Sequence, residues 1–326
     1  MQEWKEYWED LLKRKKLRKH IDSMEQVDAA LGNQYSIEDV CHKIYSDYYG
    51  EWGDQLKKKK EDFLKLVEEF EGVHLQSSRI KKIDSLLEKV ITKRYKYINN
   101  PQSKYYKIDG NNYKNIITDL IGMRLIINYR GNWTVIHNEL IQEFPYMEQK
   151  MYDEYELIPH QKSANILAEI PIVYYAQGDK LECYCPYNVV TKLHQKGYRS
   201  IHYIVSFEGV YVEIQVRTIY DEAWSDCDHS YVYKQNGKKS HSALEEISKI
   251  LCKLTNVSND LGDSMREIFE KESILDIGNG NWKTTDEWLR LCDEALKRIE
   301  NAHGELQQFR NHLVLAGGNA YETGSK

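Results

Sequence analysis

The runs SIHYIVSF (200–207) and VYVEIQVR (210–217), separated by Glu208-Gly209, decide the fold. Both are rich in β-branched and aromatic residues, the composition of strands. A two-residue Glu-Gly link reads as a tight hairpin turn, and opposed residues then have numbers that sum to 417. Phe207, Val205, Tyr203 and Ile201 fall opposite Val210, Val212, Ile214 and Val216. All are apolar, so this face is expected in the core. The other face sets His202 opposite Gln215 and Ile204 opposite Glu213, with Arg217 beyond. Such a face is either the solvated side of an antiparallel sheet or a polar site held on rigid backbone.

Further short strands are expected at IGMRLIIN (121–128), ILAEIPIVYY (166–175) and KLECYC (180–185), with a crossover helix over 134–144. All five prolines lie between positions 101 and 186, which leaves both flanks free to be helical. Trp4, Tyr7, Trp8, Leu11 and Leu12, and then Phe63, Leu66, Val67 and Phe70, recur at helical spacing, so residues 1–98 read as helices. A third helix is expected to start near Asp84. In the last third, Leu244, Ile247, Leu251, Leu254, Leu261, Met265 and Ile268 form one apolar stripe. A second stripe from Trp288 to Leu313, opened by a Thr284-x-x-Glu287 capping box, has heptad-like spacing. It suits either packing within its own domain or a homo-oligomer interface. The organisation expected is a helical region over 1–74, a core over 75–240, a helical region over 241–316 and a flexible tail over 317–326. The fold class is α+β, a mixed β-sheet of about five strands flanked by N- and C-terminal helices.

Of the 326 residues, 41% are hydrophobic, enough for a sizeable core. No apolar run approaches membrane-span length, and the charged start MQEWKEYWEDLLKRKK lacks a signal core, so a cytoplasmic protein is expected. The six cysteines contain no CxxC pair, and Cys183-x-Cys185, His194 and Cys227 lack zinc spacing. A net charge of −6 disfavours wholesale coating of nucleic acid but leaves room for a local basic groove, as at KRKKLRK (13–19) and KKKK (57–60).

Two further segments bear on the polar face. Asp119 immediately precedes the 121–128 strand. If that strand neighbours 210–217, Asp119 and Glu213 can converge on one cation; alone, such an aspartate is as well read as a turn or cap. Magnesium held by two carboxylates, substrate phosphates and water needs no more protein ligands than these. In SSRIKKIDSLLEKV (77–90), Arg79, Lys81, Lys82 and Lys89 gather near a helix start with Ser85 among them. This charge suits nucleotide phosphates, or equally a solvated helix face.

Taken in order, these segments resemble the synthetase domain of the RelA/SpoT family over roughly residues 75–235. Arg79, Lys81, Ser85 and Lys89 match its R-x-K-x-x-x-S-x-x-x-K segment, and Asp119 to Arg124 matches D-[IL]-x-[AG]-x-R. Gly197 to His202 matches G-Y-[RQ]-S-[IL]-H, and Val212 to Thr218 matches V-E-[IV]-Q-[IV]-R-T. Trp224, His229, Tyr233 and Lys234 match the closing motif. The resemblance implies a nucleotidyltransferase-like core and a pyrophosphokinase that moves the β,γ-diphosphate of ATP onto the ribose 3′-hydroxyl of GDP or GTP, making (p)ppGpp-type alarmones and releasing AMP. It implies Mg²⁺ held by Asp119 and Glu213, with Glu213 also taking the hydroxyl proton. Arg79 would stack on adenine with help from Arg124 or Arg130, and Lys81, Ser85 and Lys89 would bind ATP. Tyr198 would stack on the acceptor base, with Lys196, His202, Gln215 and Arg217 on the acceptor side.

The resemblance is looser before Tyr198, where Lys196 replaces the usual asparagine and His194 the usual lysine. Those positions serve the acceptor in the family. Stand-alone relatives include toxins, encoded beside an antitoxin, that pyrophosphorylate the 3′ end of tRNA. A tRNA acceptor is therefore the alternative reading, and a catalytically silent nucleotide sensor is another. The family's H-D-x-x-E-D hydrolase motif is not found in the sequence.

Overall fold

The structure, a computed structural model, describes residues 2–31, 36–100, 102–147, 165–232 and 242–275, with parts of 289–311. Four helices come first: α1 (Gln2–Lys15), α2 (Arg18–Leu31), α3 (Ile37–Tyr49) and α4 (Glu51–Glu68). Then follow β1 (Leu75–Ile80), α5 (Ile83–Lys96), α6 (Tyr113–Ile116), β2 (Ile121–Ile127), α7 (Trp133–Glu143), β3 (Ile166–Tyr175), β4 (Val190–Leu193), β5 (Ser200–Phe207), β6 (Val210–Thr218), α8 (Ile219–Tyr231) and α9 (Ser242–Leu275).

The strands form one mixed sheet in the order β1-β2-β6-β5-β3-β4. The hairpin has the register expected of it, from Phe207 opposite Val210 to Ile201 opposite Val216. Glu208 (φ 46°) and Gly209 (φ 80°) both take the left-handed backbone that such a turn demands. β2 runs parallel to β6, with Gly122 opposite Glu213 and Arg124 opposite Gln215. The expected neighbourhood of these two strands is therefore real.

Alternation along the central strands separates the two faces. Ile121, Met123 and Leu125 of β2 are buried with Val212 and Ile214 of β6 and Tyr203 and Val205 of β5. Phe63 and Val67 of α4 and Trp133, Ile136 and Leu140 of α7 belong to the same cluster. Leu11, Met24 and Ile44 join it too, so the N-terminal helices share the core with the sheet. The Tyr203 hydroxyl, fully buried, accepts from Trp133 Nε1 at 2.7 Å and lies 3.0 Å from His137 Nδ1, which gives this polar tip partners inside an apolar layer.

Two expectations need correction. Two of the six strands were not expected: Leu75–Ile80, read as part of a helical region, is an edge strand on β2, and Val190–Leu193 is an edge strand on β3. Residues 180–185 are not a strand: Asp179 accepts from Ala176 N, ion-pairs with Arg199, and the chain continues as a single 3-10 turn over Glu182–Tyr184. Its aromatic residue instead turns inward, setting Tyr184 edge-on against Trp133 at 4.8 Å. The apolar stripe read in 244–268 is split along α9: Leu244, Leu251 and Leu254 are half-buried. Ile250, Cys252, Val257 and Asn259 turn inward, whereas Ile247, Leu261 and Met265 stay exposed. The motif residues Tyr233 and Lys234, the Thr284–Glu287 capping box, Trp288, and the tail lie outside the described residues.

Candidate active site

Strand register assembles the site. On the face away from the core, one cross-strand row runs Arg79, Gly122, Glu213, Ile204, Glu169. The next row runs Ser77, Arg124, Gln215, His202, Ile172. The third carries Arg217 opposite Ile126 of β2. Gly122 leaves the middle of the first row without a side chain. A β-carbon placed there would meet Arg79 Cγ and Nε at 3.5 Å, so the Arg79 guanidinium arm lies across this glycine toward Glu213. Arg79, Gly122, Arg124, Glu213 and Gln215 line one pocket.

Below the row, Asp119 is clasped by two lysines. Lys81 Nζ donates to Oδ2 at 2.8 Å, and Lys89 Nζ lies 2.9 Å from Oδ1. Lys81 is placed by its own N–H, which donates to Leu120 O at 2.9 Å, and Lys89 by the second turn of α5. Burial pushes the Asp119 carboxyl up, but the charges of Lys89 and Lys81 outweigh it and hold the group below the usual carboxylate range. The aspartate is thus kept ionised with two ammonium groups beside it.

Glu213 sits at the end of a chain of polar contacts. Gln215 Nε2 donates to Glu213 Oε2 at 3.0 Å. Arg217 Nη2 donates to Gln215 Oε1 and to the Tyr198 hydroxyl, each at 2.6 Å. That hydroxyl lies 2.8 Å from His202 Nε2, and His202 Nδ1 is 3.8 Å from Glu213 Oε1. Arg217 is buried, and it also donates to Glu222 Oε2 at 2.7 Å and Ser225 Oγ at 2.9 Å on α8. The Thr218 side chain, accepting from Asp221 N at 3.1 Å, starts that helix directly after β6 and so delivers Glu222 to this spot.

Burial, reinforced by the Arg217 charge, holds the His202 imidazolium pKa down to about 3. The sign of its effect on stability follows. Below its ordinary value of 6.5 the unfolded chain takes up a proton that the folded chain refuses until about pH 3. The stabilisation is complete above pH 6.5 and is lost as the pH falls toward 3. His202→Gln is expected to flatten the decline of the urea midpoint between these values, leaving the share of His137, whose pKa burial lowers to about 4. Identical slopes in the two proteins would show that His202 is not held neutral.

The structure brings Arg79, Lys81, Lys89, Arg124, Asp119, Glu213, Gln215, His202, Arg217 and Tyr198 to the described face or its lower edge. Ser85 is half-buried one turn before Lys89. Arg130, Lys196 and Tyr198 stand outside the two rows. Arg130 lies beyond the other end of β2, where it donates to Asp260 at 3.1 Å on α9. Lys196 is exposed in a turn. The Tyr198 ring already has the Arg217 guanidinium over it, 4.9 Å from its centroid. Two carboxylates were not singled out from the sequence. Glu222 bridges Arg217 and Arg124, whose Nη1 donates to it at 2.6 Å. Glu169 closes the first row, and its only sequence signal was an acidic residue inside an apolar strand. Although Glu169 touches solvent, burial and the charge of Glu213 raise its carboxyl against the pull of Lys104, Lys89 and Lys93.

Gly197 sets up Tyr198. Its φ of 85° is left-handed, and a β-carbon there would stand 2.4 Å from Cys252 Sγ. Gly197→Ala is expected to cost about 1–2 kcal/mol from backbone strain alone, and more from the clash. Adding Cys252→Ala is expected to recover the clash component only. Urea denaturation of the three variants checks this, and full recovery in the double variant would remove the backbone argument.

Residues 78–238, about half of the chain, match the family described as a region found in RelA / SpoT proteins. This core belongs to the RelA/SpoT family. The matched span begins within β1, just before the Arg79 that opens the first row, and extends past α8, so every row residue named above lies inside the RelA/SpoT region except Ser77. Among solved structures, the chain is similar to the small alarmone synthetase 1 from Bacillus subtilis, with 16% identity over 70% of this chain and 96% of that one, at a TM-score of 0.42. It is also similar to a GTP pyrophosphokinase family protein from Streptococcus pneumoniae, with 13% identity over 70% of this chain and 95% of that one, at a TM-score of 0.43. No curated protein matches the chain. Among the described residues, no helix is long and apolar enough to cross a membrane.

Proposed function

We propose that the chain is an ATP-dependent pyrophosphokinase that transfers the β,γ-diphosphate of ATP to the ribose 3′-hydroxyl of GDP or GTP. The observation that supports this reading is the first row, Arg79 laid over Gly122 with Glu213 across from that glycine, together with an Asp119 two residues before β2 that Lys81 and Lys89 hold ionised. Transfer of this kind asks a protein chiefly for positioning and charge neutralisation. The acceptor oxygen bonds to the β-phosphorus, the bond from that phosphorus to the α,β-bridging oxygen breaks, and AMP departs with that oxygen. Glu213 receives the hydroxyl proton, with Gln215 fixing one of its oxygens and leaving Oε1 for the task. Arg79 and Arg124 flank the pocket proposed for adenine. Lys81 and Lys89 turn from Asp119 to the phosphates as the nucleotide enters.

The residues fit magnesium in a specific sense. Among the described residues, no group of three or more His, Cys, Asp or Glu side chains is placed to hold an ion unaided. Asp119 and Glu213 instead offer hard carboxylate oxygens of the kind that hold Mg²⁺ when substrate phosphates and water complete its shell. Bound there, the ion would supply neutralisation of phosphate charge. The partners in this reading are ATP and the acceptor nucleotide. Self-association is read from the Trp288–Leu313 stripe, and the exposed Ile247, Leu261 and Met265 of α9 add apolar surface that supports it.

The test is incubation with γ-labelled ATP and Mg²⁺, offering GDP, GTP, ATP or deacylated tRNA separately. Label on GDP or GTP is expected. Label on tRNA alone would move the reading to 3′-end pyrophosphorylation, which the exposed Lys196 and the His194 substitution favour. Label on none of them would refute a transferase.

A further inference from the structure

α9 meets the end of the sheet through polar groups. Cys252, Asn256, Asn259, Asp260 and Asp263 recur at helical spacing along one side of it. Arg130, in the turn after β2, donates to Asn256 and to Asp260, and Gly131 N donates to Asp263 Oδ1 at 3.1 Å. Arg199 Nη1 lies 3.3 Å from Cys252 Sγ. Asn259 is the most deeply placed of these, only 1% exposed. Its Nδ2 donates to Asp221 Oδ1 at 3.0 Å, while its own Oδ1 has no hydrogen-bond partner among the described residues. A buried amide satisfied at one end serves stability less well than an apolar side chain of similar shape. The place of this asparagine is therefore explained by what its nitrogen holds rather than by the packing of α9.

What it holds is the first turn of α8. Asp221 is buried, and Thr218 Oγ1 donates to its Oδ2 at 2.8 Å while accepting from its N–H at 3.1 Å. Both carboxylate oxygens are engaged, one by the cap of the helix itself and the other by α9. Glu222 follows directly in the chain. Its Oε2 accepts from Arg217 at 2.7 Å and its Oε1 from Arg124 at 2.6 Å, so one carboxylate ties β6 to β2 beside the pocket that Arg124 lines. Any rotation of the α8 start moves that carboxylate and, with it, both arginines.

We infer that Asn259 is a positioning residue for the transfer: from α9, through Asp221, it fixes where Glu222 stands and so how Arg217 and Arg124 are presented to the site. It touches no substrate in this role. The inference rests on the pyrophosphokinase reading and adds to it a helix that begins after the RelA/SpoT region ends at residue 238.

The experiment follows label transfer at saturating nucleotide together with amide hydrogen exchange across residues 218–225. It compares wild type, Asn259→Leu, Asp221→Ala, the double variant of these two, Asp221→Asn, and Ile44→Val in the core on α3. Asn259→Leu is expected to lower kcat roughly tenfold, as a small misplacement of catalytic groups does, with KM for ATP within about twofold because Arg79, Lys81 and Lys89 are untouched. Exchange across 218–225 is expected to quicken. The double variant is expected to fall no further than the worse single one, because both changes break the same link. Asp221→Asn is expected to stay near wild type, since Asn259 can turn its amide over and accept through Oδ1. Ile44→Val is expected to lower the urea midpoint and leave kcat and the exchange of 218–225 unchanged, which separates positioning from a general loss of stability. Unchanged exchange or unchanged kcat in Asn259→Leu, additive losses in the double variant, or an equal fall of kcat in Ile44→Val would overturn the role. The transferase reading fails separately: no label from wild type, with exchange still dependent on Asn259, refutes the reaction and leaves the support of α8 by α9 standing.

Discussion

Glu213→Gln is expected to reduce label transfer from ATP by at least about a hundredfold, the usual contribution of a positioned general base. Glutamine has the size of glutamate and can still accept from Gln215 Nε2, so the hydrogen bond on that side of the group survives. What disappears is the negative charge, and with it both the proton acceptor and one of two carboxylates proposed for the ion. Circular dichroism and the urea midpoint are expected to stay close to wild type, and ATP binding is expected to persist through Arg79, Lys81 and Lys89. A variant that still transfers label at a tenth or more of the wild-type rate would sink the base assignment.

Arg217→Met is expected to be the most destabilising substitution on the polar face. The guanidinium is buried and has five side-chain partners: Ser200, Glu222, Ser225, Tyr198 and Gln215. Removing one member of a buried ion pair costs about 3–5 kcal/mol, because the partner is left uncompensated. The lower end applies here, since Glu222 keeps Arg124. Arg217→Lys retains the charge but cannot span acceptors on β5, β6 and α8 from one ammonium group, so an intermediate loss is expected. Urea denaturation reads both. A loss under about 1 kcal/mol, the range of an exposed pair, would mean that the chain of contacts is decoration rather than support. Because Glu213 is aligned through Gln215, transfer is expected to fall in both variants even at temperatures where they remain folded.

The hairpin and its polar face were legible because period-two alternation over eight or nine residues with a two-residue turn leaves one register. The β2–β6 neighbourhood was legible only as a condition, since nothing local makes two parallel strands adjacent. β1 was invisible for a physical reason. LQSSRI covers no core, its burial alternates only between exposed and half-buried, and a strand without an apolar face has no hydrophobic period to read. β4 is exposed along its whole length and hid in the same way, while the β-rich composition of 180–185 pointed to a strand where Asp179 turns the chain. Among site residues, Arg79, Asp119 and Glu213 stood out through their motifs. Glu222 and Glu169 did not, because their importance comes from strands and a helix that are distant in sequence.

The chain of contacts that ends at Glu213 has one further consequence. Arginine can only give hydrogens and an ionised glutamate can only receive them, so Arg217 and Glu213 impose a one-way sense on everything between them. The Gln215 amide has its orientation dictated, oxygen toward the arginine and nitrogen toward the glutamate. The Tyr198 hydroxyl accepts from Arg217 and lies 2.8 Å from His202 Nε2, and the other ring nitrogen, Nδ1, stands 3.8 Å from Glu213. The amide between the two charges therefore has a single orientation, and Glu213 Oε2 keeps its donor without any rearrangement of Gln215.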